Sequence, residues 1–134
     1  VTSLNDLAAQ INSNAKAHGF WDADRNFGEM IALAHSELSE ALEEHRSGRP
    51  AEYVPIHQQG CPASSDGLPD SRTEYARIVA CTGACKPEGV AVELADCIIR
   101  CLDTMHSLGV DIDGVVARKM AYNASRPYKH GRAY

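Results

Sequence analysis

An all-α fold is expected from three observations. Apolar residues recur at helical spacing in four separate stretches, these stretches are bounded by recognisable caps or breakers, and no alternating run argues for a strand. Four helices in one short chain point to a four-helix-bundle-type arrangement with a long insertion between the second and third helices.

The first helix follows Ser3, a good N-cap with Asp6 three residues on, and places Leu4, Leu7, Ala8, Ile11 and Ala15 on one stripe before Gly19. Phe20-Trp21-Asp22 forms a connector. A second helix is expected from about Asp24 to Ser47, with Phe27, Met30, Ile31, Ala34, Leu38, Ala41 and Leu42 at helical spacing and Gly48 and Pro50 as its stop. From about residue 49 to 89, Pro and Gly interrupt every pattern, which marks an insertion. Within it Ser71 to about Cys81 has a helical look. A third helix follows Pro87-Glu88-Gly89, carries Val90, Leu94, Ile98, Cys101, Leu102 and Met105, and ends at Gly109. A fourth starts after Asp111, holds Ile112, Val115, Val116 and Met120, and fades before Pro127.

The 134 residues suffice for one domain, 1–134, with a mostly aliphatic core, since two Phe and one Trp are the large aromatic anchors. A net charge of −5 and the lack of a long basic run argue against a nucleic-acid polymer as partner. No stretch reads as a signal peptide or a membrane span, so no membrane partner is expected. The five cysteines form no dense disulfide pattern, and the expected location is the cytoplasm, or a host cytoplasm if the chain is phage-encoded.

Two acid pairs carry the chemistry. Glu37 and Glu40 lie three apart on the second helix with Glu44 one turn further, opposite the Leu38 stripe; Glu93 and Asp96 repeat the arrangement on the third, with Arg100 and Asp103 continuing the row. Either pair alone reads first as a solvated face. The third helix, however, is apolar over more than half its circumference, so its acid row is expected to be hemmed in. Facing rows would put four carboxylates in one site, and such a cluster needs cations. Oxygen-only ligands suit magnesium, for which manganese can substitute.

The fourth helix ends in a basic stretch, in which Lys119, Asn123 and Arg126 recur on one side and suit phosphate oxygens, or complement the helix dipole. Taken together, Glu37-x-x-Glu40, Glu93-x-x-Asp96 and Lys119-x-x-x-Asn123-x-x-Arg126-Pro127 resemble the MazG-like, all-α nucleotide pyrophosphohydrolase superfamily over roughly half the chain. The resemblance implies that Glu37, Glu40, Glu93 and Asp96 bind magnesium and that Lys119, Asn123 and Arg126 contact the triphosphate. It departs from the family pattern at Ser36, where many members carry a further Glu, and in the length of the stretch between Glu40 and Glu93.

The reaction so implied is hydrolysis of a (deoxy)nucleoside triphosphate to the monophosphate and pyrophosphate by water attack at the α-phosphorus, with Glu37 or Glu40 as the base. For the nucleobase the aromatic candidates are Trp21, then Phe20, with Tyr128 and His18 behind; Trp21 is as readily a core plug. Cys97 and Cys101 read as small core residues. In the insertion His57, Cys61, Cys81 and Cys85 offer a ligand set for structural zinc, or remain unligated thiols. The wide apolar arcs call for a homodimer or homotetramer. The competing reading is a non-catalytic helical oligomer whose insertion, possibly zinc-held, binds a protein partner. A di-iron bundle would need Glu-x-x-His motifs, which only Asp103-x-x-His106 approaches.

Overall fold

The computed structural model describes residues 2–55, 61, 81 and 85–128. It contains α1 (Leu4–Ala17), α2 (Phe27–Arg46), α3 (Val90–Ser107) and α4 (Ile112–Ser125), and the described residues include no strand, only an isolated antiparallel bridge between Tyr53 and Glu88. The all-α expectation holds. No helix among these is long and apolar enough to cross a membrane. The short helix expected from Ser71 to about Cys81 falls outside the described residues, apart from Cys81 itself.

The chain forms two compact units, one of Val1–Asn26 with Ile99–Tyr134 and the other of Phe27–Ile98, so that α3 contributes its two halves to different units. In the first unit, α1 and α4 are joined by reciprocal capping. Ser3 caps α1 in a capping box with Asp6. The first-turn amides of Leu4 and Asn5 also donate to the Asp113 carboxylate at 3.1 Å each. In return the Asn5 side chain accepts from the Ile112 amide at 2.8 Å and donates to Asp111, the N-cap of α4, at 2.9 Å. Helix starts leave amides without internal partners, and here each helix supplies the other's acceptors. Below these caps Ala8, Leu102 and Ile112 form a buried core, flanked by Leu4, Ile11, Met105 and Val116.

A polar cluster completes this unit. Asp103 is buried and accepts from the Asn12 amide at 2.8 Å and the Trp21 indole N–H at 3.1 Å, with the Arg25 guanidinium at 3.6 Å. Arg25 also lies over the Trp21 ring, 5.3 Å from its centroid. These contacts hold the connector out of helical form, which explains why α2 begins at Phe27 rather than at Asp24.

In the second unit the insertion leaves and returns at one place. Tyr53 and Glu88 exchange backbone hydrogen bonds at 2.9 and 2.8 Å, and the Ala91 amide donates to Ala51 at 2.8 Å. Gly89 makes the return, with φ +117° and the position of a Cβ only 2.6 Å from the Ala51 carbonyl oxygen. A side chain there would strike backbone, so this turn requires glycine.

Candidate metal centre

On α2 the buried residues are Met30, Glu37 and Ala41, spaced to share one face. The expectation that the Leu38 stripe packs inward, opposite the acid pair, is corrected here. Ile31, Leu38 and Leu42 are 41%, 45% and 46% exposed, whereas Glu37 is 6% exposed. The apolar arc of α2 is wide enough to hold two stripes about 100° apart, and the one with small residues turns inward and brings Glu37 with it.

Opposite it within the same unit, the first two turns of α3 carry Glu93 and Asp96. Carboxylate oxygens of Glu37, Glu93 and Asp96 all lie within 4.8 Å of one another. Burial pushes the Glu93 carboxyl above the ordinary glutamate range, and the neighbouring charges of Glu40, Asp96 and Glu37 push it further. Lys86 opposes them. Glu93 also sits in the first turn of α3, where the helix dipole favours a negative charge. A divalent cation would relieve the same repulsion, and three hard oxygen donors fit magnesium.

The structure thus brings together three of the four expected ligands. Glu40, the fourth, is exposed and outside the triple, although its charge acts on both Glu93 and Lys86. Glu44, the next acid in the row, is engaged elsewhere, with Arg49 at 2.9 Å and the Tyr53 hydroxyl at 3.0 Å. Lys86 was not singled out by the sequence. Its ammonium lies 3.3 Å from Glu88, a hydrogen bond that raises its pKa, with the charges of Glu88, Glu93 and Glu40 acting in the same direction. The only sequence signal for it is its place seven residues before the start of the second acid pair, just where the insertion returns. Ser36, at the family's extra Glu position, donates its hydroxyl proton to the Leu33 carbonyl at 2.8 Å.

The remaining candidates lie in the first unit. Lys119, Asn123 and Arg126 are exposed on or just after α4, and both cations lie over the Tyr122 ring, at 5.1 and 5.9 Å from its centroid. Tyr122 was missed because a tyrosine between two cations has no distinctive spacing of its own. Tyr128 is 87% exposed. Trp21 is half-buried, with its indole N–H given to Asp103 and Arg25 over the ring, so a base stacking on that face would have to displace Arg25. Phe20 and His18 are exposed. Cys97 is half-buried, but Cys101, expected in the core, is exposed. Cys61, Cys81 and Cys85 converge as expected, whereas His57 lies outside the described residues. The chain matches no protein-family model, no curated protein and no solved structure.

Proposed function

We propose that the chain is a magnesium-dependent hydrolase that splits a nucleoside triphosphate into the monophosphate and pyrophosphate. The observation that carries this reading is the convergence of Glu37, Glu93 and Asp96 from two helices, with Glu93 raised by burial and by its acidic neighbours. The resemblance of the acid pairs and the basic row to the MazG-like superfamily supplies the reaction.

Glu37, Glu93 and Asp96 would hold the ion, which when bound neutralises phosphate charge and acidifies a coordinated water. Glu40, exposed and with its charge acting on Glu93, would take a proton from the attacking water. The water oxygen bonds to the α-phosphorus, the bond from that phosphorus to the α–β bridging oxygen breaks, and pyrophosphate leaves with that oxygen. The resemblance implies that Lys119 and Arg126 would donate to the phosphate oxygens and that Asn123 would add an amide donor. The exposed apolar stripe of α2 supports assembly into a homodimer or homotetramer, which is compatible with catalysis and does not require the alternative of a non-catalytic scaffold.

The test is pyrophosphate release from a panel of ribo- and deoxyribonucleoside triphosphates, with magnesium and with EDTA. Magnesium-dependent release is expected. Glu37→Gln should abolish it with loss of magnesium affinity, and Glu40→Gln should lower turnover by about a hundredfold or more with magnesium affinity retained. No release from any nucleotide, with Glu37→Gln binding magnesium as wild type does, would leave the non-catalytic oligomer as the better reading.

A further inference from the structure

Away from the acid centre, the insertion brings a second set of ligating side chains to one point. The sulfur atoms of Cys61, Cys81 and Cys85 all lie within 4.8 Å of one another, with Cys61 Sγ and Cys81 Sγ 3.8 Å apart. Cys61 and Cys85 are buried, at 7% and 4% exposure, and all three are free of disulfides. We infer that Cys61, Cys81 and Cys85 bind one zinc ion that ties these three positions together.

Geometry is the first argument. A zinc–sulfur distance of about 2.3 Å at a tetrahedral angle separates two sulfurs by about 3.8 Å, the spacing found between Cys61 and Cys81. Energetics is the second. Among the described residues, Val54, Cys61 and Cys85 form a buried cluster with the partly buried Cys81 packed against it. Cys61 stands twenty residues before Cys81, so bringing their thiols together carries a loop-closure cost. A structural ion supplies that free energy directly.

Ligand chemistry is the third. Soft thiolates select zinc, whereas the oxygen-only triple of Glu37, Glu93 and Asp96 suits a hard ion, so the two sites do not compete for one metal. Binding exchanges three S–H bonds for three Zn–S bonds and releases three protons to solvent, with no change of oxidation state. A fourth ligand, from the chain or a water, completes the shell.

The site also has a mechanical consequence. Cys85 immediately precedes Lys86, and Lys86 reaches Glu88, which pairs with Tyr53 and whose neighbour Gly89 starts the run into α3. An ion on Cys85 therefore fixes the return of the insertion beside Glu93. This inference stands on the thiol geometry and is independent of the reaction proposed above.

The experiment is metal analysis of protein purified without chelator, followed by titration with a mercurial and colorimetric detection of the zinc set free. One zinc per chain, released as the thiols are modified, is expected. Cys61→Ser, Cys81→Ser and Cys85→Ser should each lose it, while Cys97→Ser and Glu37→Gln retain it, which separates this site from the acid centre. If a serine variant fails to fold, cobalt exchanged into the wild type provides the second readout, and intense thiolate-to-cobalt absorption is expected. Zinc-free protein with all five thiols titrating freely, a mass showing a disulfide, or cobalt without thiolate absorption would overturn the inference.

Discussion

Asp103 shows how one residue can be misread from its spacing. On the sequence it continues the acid row of Glu93 and Asp96; in the fold it is buried in the first unit and engaged by Asn12, Trp21 and Arg25. A signal for this was present in Asn12, which falls four residues after Ala8 on the inward face of α1 and, at 3% exposure, needs a buried partner. Trp21 could be read equally as a base platform or as a core plug, because an aromatic in a connector has no periodicity to decide between them; its bond to Asp103 gives it an anchoring part. Replacing Asp103 by Ala leaves the Asn12 amide and the Arg25 charge without their acceptor, and a loss of about 3 kcal/mol is expected in urea denaturation. Asp103→Asn should lose less. Magnesium binding should be unchanged in both, and a shift of less than about 0.5 kcal/mol for the alanine variant would show that the cluster is not needed for stability.

At the scale of elements, the helices were legible because their caps are local chemistry: Ser3 with Asp6, and Asp111, stand where the side-chain rules put them. The acid pairs were legible for the same reason. Which face of α2 turns inward was not, since both stripes satisfy helical periodicity and the choice depends on what packs against them. The crossing of the insertion at Tyr53 and Glu88 was also hidden, because pairing across more than thirty residues leaves no local mark; Gly89 alone hinted at a constrained turn.

The element that joins Glu37 to Glu93 and Asp96 makes a pH prediction. Glu93 has a folded-state pKa above its unfolded value, so between the two values the native state binds more protons than the unfolded chain. Stability without metal therefore falls as pH rises through this window. Asp111 works in the opposite sense, its carboxyl lowered first by the Asn5 side chain and then by the Gly114 amide. Its contribution is present above the ordinary aspartate pKa and is lost only in stronger acid, so the two windows are separate. In EDTA, thermal unfolding followed upward in pH from the ordinary glutamate range should show wild type losing stability relative to Glu93→Gln, and magnesium should restore it most at the upper end. Parallel profiles for the two proteins in EDTA would remove Glu93 from the account.

For the whole molecule the decisive feature is surface left uncovered. Phe27, Ile31, Leu38 and Leu42 are 52%, 41%, 45% and 46% exposed and lie within about 60° on one side of α2. Leu94 and Ile98 of α3, in the same unit, are 44% and 58% exposed. Scattered apolar residues on a surface are ordinary, but six large ones on two helices of one compact unit resemble the face of an interface. A second copy of the chain would cover them by a self-complementary contact. Light scattering should then give a particle of two or four chains. Burying a side chain of this size is worth about 1.5 to 3 kcal/mol, so replacing Leu38 and Ile98 together by Glu should weaken assembly by at least about a hundredfold and yield monomers at micromolar concentration. Because Glu37 adjoins Leu38 in sequence but points elsewhere, the monomeric variant should still bind magnesium. A wild type that is monomeric at high concentration would mean that these stripes are tolerated surface, and the assembly would have to be given up.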